Sequence, residues 1–292
     1  MVESPGATPR RAALLLRRCV GNYRILGGGS VLLLLVLVAL FARQIAPQDP
    51  LDQDLIAQLQ PPTLAAEGDT AHYLGADSLG RDVLSRLIFG TRVALVVAVI
   101  AGPLTALVGT GLGLAAGYLG GWVDVVISRA VDIWSSFPPI LLSIMLVALL
   151  GTGLTSVLIA IVVIDWTRFC RVVRAEALKQ RHMDYVDAAL VSGLRPRTIL
   201  AREILPNILP LCIVLLTMEM GIAIVIEAIL SFVGLSISTD MPTWGSMIAE
   251  GRQVIYQAPW IMTSALAALL VSILALNMLG DGLKAEFDPV LR

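Results

Sequence analysis

The chain has 292 residues, of which 57% are hydrophobic and only 15% charged, and its formal net charge is −1. A soluble domain is about 25% charged, so this composition excludes a disordered chain, a collagen and a nucleic-acid-binding domain, and it disfavours a soluble enzyme. It points to one polytopic membrane unit.

In chain order, a basic arm carrying Arg10, Arg11, Arg17, Arg18 and Arg24 precedes an uncharged stretch from Ile25 to Ala42. A hydrocarbon core of about 30 Å needs roughly 20 apolar residues per helix, so this is a first span. Its long basic lead predicts an uncleaved anchor rather than a signal peptide. Residues 47–91 follow as a loop rich in acids: Asp49, Asp52, Asp54, Glu67, Asp69, Asp77 and Asp82 against Arg81 and Arg86. Val93 to Val123 forms a second span. In it Gly109, Gly113 and Gly117 share one face, either for close helix approach or as ordinary membrane-helix glycine.

Ile133 to Ile164 is uncharged, long for one helix and short for two. Gly151-Thr152-Gly153 predicts a tight turn, giving a third span from Val125 onward and a fourth ending near Val173. The basic segment Arg168 to Arg202 belongs on the same side as the N-terminal arm, and only a split stretch puts it there. A fifth span lies within Ile204–Thr239 and a sixth within Gln253–Gly280. The expectation is an all-α polytopic protein with six transmembrane helices and both termini cytoplasmic. Its parts are an arm (1–24), a first helix (25–46), an external loop (47–91), a five-helix core (92–283) with a cytoplasmic loop about 174–205, and a tail (284–292).

Catalytic signatures are missing. Lys179 and Lys284 are the only lysines and neither sits in a Gly-x-x-x-x-Gly-Lys-Ser/Thr loop. His72 and His182 have no partner at metal-ligand spacing and are expected as solvated loop residues. Cys19, Cys170 and Cys212 are odd in number and far apart, and are expected as apolar filler.

The cytoplasmic loop carries the most information. In Met183–Gly193, Val186, Ala189 and Leu190 make a short apolar stripe at helical spacing. Gly193 suits a left-handed helix end and Pro196 the first turn of a second helix. The result is either a basic amphipathic helix on the membrane surface or a rigid knob for a cytoplasmic partner. Inside the fifth span, Glu219 and Glu227 lie eight apart, broadly on one side of the helix. Intramembrane acids cost roughly 2.5–3.5 kcal/mol each. They line a translocation path or serve helix packing. Asp132 and Asp165 are expected at cytoplasmic span ends, solvated or paired with Arg129 and Arg168. Trp122, Trp134, Trp166, Trp244 and Trp260 are expected in an interfacial aromatic belt.

Asp187-Ala188-Ala189, Gly193 and Ile204-Leu205-Pro206 resemble the EAA loop of binding-protein-dependent ABC importer permeases, with aspartate where glutamate is usual. Leu74–Arg86, Ser136-Phe137-Pro138-Pro139, Leu230–Leu235, Pro242–Met247, Leu279–Leu283 and Asp288–Arg292 resemble further segments of the oligopeptide and dipeptide permeases, C-type subunit. The resemblance implies a type I importer fold and a coupling helix formed by Tyr185, Val186, Asp187, Ala188, Ala189 and Leu190, ending at Gly193. It implies a second homologous permease, two ABC ATPase subunits that bind ATP and magnesium, and an extracytoplasmic substrate-binding protein. The substrate would be a peptide, the surroundings membrane lipid, and no nucleic acid or cofactor would bind this chain. Trp244, in an external loop, is a candidate contact for the binding protein, and Glu219 and Glu227 are candidates for the path. Nickel chelates and glutathione are the alternative substrates. A proton-coupled carrier is the alternative mechanism, and a non-transporting scaffold a further one.

Overall fold

The computed structural model describes residues 21–63, 72–236 and 241–287. Most of the N-terminal arm, Cys19, Glu67, Asp69 and the Asp288–Arg292 motif lie outside the described residues.

Helix α1 (Tyr23–Leu40) starts where the Asn22 side chain accepts from the Arg24 backbone N–H, and a short α2 (Ala42–Ile45) follows. Helix α3 runs the 37 residues Val83–Leu119 and opens inside the stretch assigned to the external loop. Its start is set by Asp82, whose carboxylate accepts from the Ser85 backbone N–H at 2.7 Å. Asp, Ser and Thr favour this position because they satisfy amides that a first helical turn leaves free.

The third span differs from the expectation. It is two helices, α4 (Gly121–Ser135) and α5 (Pro139–Leu150), bent by 88° at Ser136–Pro138. The cause is covalent. Pro138 and Pro139 have no N–H, so the Ser135 carbonyl has no donor three or four residues on. The pre-proline position also disfavours helix. Helix α6 (Leu154–Arg181) follows the expected turn, where Gly151 and Gly153 take φ of +88° and +149°.

On the far side of α6 come α7 (Asp184–Val191), α8 (Pro196–Ile199) and a π-helical turn Leu200–Ile204 that runs into α9 (Leu205–Phe232). Helix α10 (Trp244–Gln253) and α11 (Pro259–Phe287) complete the described chain. Among the described residues α1, α3, the α8–α9 unit and α11 are long and apolar enough to cross a membrane, and the bent α4–α5 pair makes a fifth segment if counted as one span.

The packing centre is α3 against α6. A Cβ on Gly109 would lie 2.5 Å from the Phe169 Cβ, one on Gly113 2.7 Å from the Cys170 carbonyl, and one on Gly117 2.6 Å from the Ala177 Cβ. The glycine face therefore serves close approach, the first of its two readings. Helix α4 lies along α6, held by Asp124–Arg174 (Oδ2 to Nη2, 2.7 Å) and by Trp134 Nε1 donating to the Val163 carbonyl at 2.6 Å. Cys170 and Cys212 are free and buried, as filler requires.

Candidate functional site

In the loop between α6 and α9, α7 has two faces. Val186 and Ala189 are buried in one cluster with Phe169, Val173 and Ala177 of α6, Tyr118 of α3, and Ile199, Ile204 and Ile208. Asp187, Ala188, Leu190 and Gly193 are exposed, and Val191 is 90% exposed. Leu190, assigned to the apolar stripe, points outward. Half-buried Tyr185 braces the helix by donating its hydroxyl to Gln180 Oε1 at 2.6 Å. Burial pushes its phenol up, so it remains a donor.

The helix stops as the sequence predicts. Gly193 sits at φ +76°, and its N–H donates to the Leu190 carbonyl while that of Leu194 donates to Ala189. Only glycine takes this conformation without cost. No atom lies within 4 Å of where a Gly193 Cβ would stand. The knob is thus anchored on its inner face and open on its outer one.

Two features here left no signal in the sequence. Tyr118 and Leu119, at the end of α3, join Arg181, Asp187 and Leu190 around a shallow cleft of about 420 Å³ beside α7. A larger groove, about 780 Å³, runs between Tyr185, Pro210, Val214, Met218, Lys284 and Phe287. It joins Tyr185 of α7 to residues of α9 and α11, which are far apart in the chain.

Three expectations need correction. Trp244 is 2% exposed: its Nε1 donates to the Leu87 carbonyl at 3.1 Å and its ring packs on Gly90, so it locks α10 to α3 and offers no surface to an outside protein. His72 is buried, its Nδ1 3.3 Å from Asp82 Oδ1, rather than solvated. Asp165 is buried mid-helix, and its Oδ2 has no hydrogen-bond partner, whereas Arg168 is exposed. By contrast Asp132 is exposed and meets Arg129 at 3.8 Å. Of the tryptophans expected in an aromatic belt, Trp122 is exposed, while Trp260 donates to the Ala76 carbonyl and helps hold the loop that precedes α3.

Glu219 and Glu227 are each 2% exposed and lie inside the chain's own helix packing. Glu227 accepts from Ser231 at 2.7 Å and Ser236 at 3.1 Å, and Thr243 donates on to Ser231 at 2.8 Å. That chain ties the C-terminal end of α9 to the start of α10. Glu219 Oε1 has no partner.

On the opposite side, the Leu74–Arg86 motif folds on itself. Asp77 accepts from the Leu79 and Arg81 backbone N–H groups and from the Arg81 and Arg86 guanidinium groups. Glu250 of α10 receives Arg81 at 2.9 Å and Arg86 at 2.6 Å. Planar guanidinium forks suit such shared carboxylates. Among the described residues no group of three or more His, Cys, Asp or Glu is placed to hold a metal ion.

Residues 109–292 match the family described as binding-protein-dependent transport system inner membrane component, and residues 13–62 match the N-terminal TM domain of oligopeptide transport permease C. The chain is 36% identical to the glutathione transport system permease protein GsiD of Pectobacterium atrosepticum, over 94% of this chain and 90% of that one. It is 37% identical to the dipeptide transport system permease protein DppC of Haemophilus influenzae, over 93% and 92%. The DppC of Alkalihalophilus pseudofirmus is 37% identical over 88% and 83%. A solved structure of the MetNI methionine ABC transporter, inward facing, has a chain that matches with TM-score 0.58 and 20% identity, covering 69% of this chain and 96% of that one. At that identity the likeness speaks to the fold.

Proposed function

This chain belongs to the binding-protein-dependent transport system inner membrane components, and on that premise we propose that it is a permease subunit of an ATP-driven importer of dipeptides or oligopeptides in the bacterial inner membrane. It forms half of the translocation path and has no catalysis of its own. Separate ATPase subunits hydrolyse ATP with magnesium, and a substrate-binding protein delivers the peptide from outside. A second, homologous permease completes the path.

One observation carries the mechanism: α7 is buried along Val186 and Ala189 and bare along Asp187, Ala188, Leu190 and Gly193. A helix seated in this way moves as a body with α6 and α9, because their side chains share its cluster. ATP-driven closure of the ATPase pair draws α7 inward, and the spans tilt with it. A floppy loop would absorb that displacement instead.

The chain crosses the membrane six times in this reading, through α1, α3, α4–α5, α6, α9 and α11, with both termini cytoplasmic. Asp165, Arg168 and Arg171 interrupt the apolar run of helix α6, but its glycine-tight seam with α3 runs from Trp166 to Leu178. The path faces the second permease. In the present arrangement Glu219 and Glu227 stand behind its wall.

Glutathione, a tripeptide-like thiol, is the second reading of the substrate, favoured by the relatives named glutathione permeases. Competition between labelled dipeptide and glutathione for uptake separates the two.

The test of the coupling role is Gly193→Asp. The added side chain meets no atom of this chain within 4 Å, and aspartate tolerates the left-handed backbone. Tagged native chain should bring down the ATPases and a second permease from its own membrane. The variant should keep the permease and lose the ATPases. A native chain that purifies alone and still transports would overturn the importer reading.

A further inference from the structure

Where α3, α6 and α9 meet, three side-chain oxygens are buried and have no partner: Thr105 Oγ1, Asp165 Oδ2 and Glu219 Oε1. Their residues are 0%, 5% and 2% exposed. Gly102, Thr105 and Gly109 share one face of α3 by helical spacing. On that face Gly102 packs against Met220, next to Glu219, and Gly109 against the Trp166 carbonyl, next to Asp165. Thr105 therefore lies between the two acids. Glu219 is within electrostatic range of Asp165 and of Arg168.

Two carboxylates enclosed together cannot both stay ionised without a compensating positive charge. None is at hand. Arg168, the nearest cation on α6, is exposed and makes no ion pair with Asp165. Helix α3 is uncharged from Val93 to Leu119, and α11 is uncharged from Pro259 to Gly280. Glu227 is two turns away and engaged by Ser231 and Ser236.

We propose that Asp165 and Glu219 form a proton-binding site at the junction of α3, α6 and α9, with the Thr105 hydroxyl completing it. One proton binds one carboxylate oxygen, the pair goes from two negative charges to one, and no electrons move. The site spans the helix that enters the coupling loop and the helix that leaves it. Loss of the proton places like charges across the α6–α9 contact and opposes their joint movement.

The first readout needs neither a substrate nor knowledge of the partners. The complex purified through this chain is studied by infrared spectroscopy in H₂O and D₂O at neutral pH. A protonated-carboxyl C=O band that shifts in D₂O should be present in the native complex and lost or moved in Glu219→Gln and in Asp165→Asn. Thermal melting selects variants that remain folded. The second readout is ATP-driven uptake against pH. Above the titration point of a single proton the native rate should fall about tenfold per pH unit. In Glu219→Gln the ratio to native should rise with pH by the same factor. A band unchanged in both variants overturns the site. So does a Glu219→Gln defect of equal size at every pH, which is what a packing role alone would give. The infrared result stands even if the importer is found to carry something other than peptide.

Discussion

Arg86 shows how one side chain holds a loop to a helix bundle. Its side chain is 3% exposed, between Asp77, itself fully buried, and Glu250. Removing one member of such a set leaves an uncompensated charge, which is worse than never having built the pair. Arg86→Met should therefore destabilise the folded chain by about 3 kcal/mol, measured as a lowered melting midpoint in detergent with the external loop becoming protease-sensitive. Arg129→Ala, which touches only an exposed pair, should leave the midpoint unchanged within error. The contrast at Trp244 is similar in kind. A tryptophan next to Pro242 and Gly245 reads as an exposed loop residue until Gly90 is found beneath its ring.

Among elements, the seam of α3 and α6 is the one whose geometry tolerates least. Gly109→Ala places a Cβ 2.5 Å from the Phe169 Cβ and 2.8 Å from the Trp166 carbonyl, both on a helix that cannot yield locally. Overpacking of this sort costs about 1–3 kcal/mol. Gly111→Ala, one residue-pair along and with nothing within 4 Å, is the matched control and should be neutral or mildly stabilising. Equal melting midpoints for the two variants would show that the helices are less tightly apposed than the glycine face requires. The elbow between α4 and α5 was hidden from periodicity, because the uncharged run from Ile133 to Ile164 continues through it and only the Pro-Pro pair marks the break. Proline signals a break, but the 88° turn is set by what each half packs on. Helix α4 follows the lower part of α6, while Val147 of α5 joins the cluster of Val157, Ala160 and Ile161.

For the whole molecule, topology is the property most open to direct measurement. With six crossings and a cytoplasmic N-terminus, Val191 and Tyr256 lie on opposite sides of the membrane. They are 90% and 100% exposed, so cysteines there are reachable in the folded chain. A membrane-impermeant maleimide added to intact cells should label Tyr256→Cys and spare Val191→Cys until the membrane is opened. The reverse pattern, or labelling of both, would rule out the six-crossing arrangement. The Arg-rich Arg168–Arg202 segment is the feature that would set this orientation, because Lys and Arg favour the cytoplasmic side.

Local chemistry was readable directly from the residues. Apolar run lengths located the helices that are long and apolar enough to cross a membrane, and Gly193 and Pro196 marked the end of α7 and the start of α8. Each depends on neighbours within a few positions, which a one-dimensional string preserves. Burial of a polar group does not. Whether Asp165 is solvated, whether Glu219 faces a path or a neighbouring helix, and whether Trp244 is open to solvent depend on residues fifty to more than one hundred and fifty positions away, and even His72 is covered through Asp82, ten positions on. Thr105, Asp165 and Glu219 become one site only when α3, α6 and α9 close on each other, because the distance between side chains is decided by helix packing and not by order along the chain.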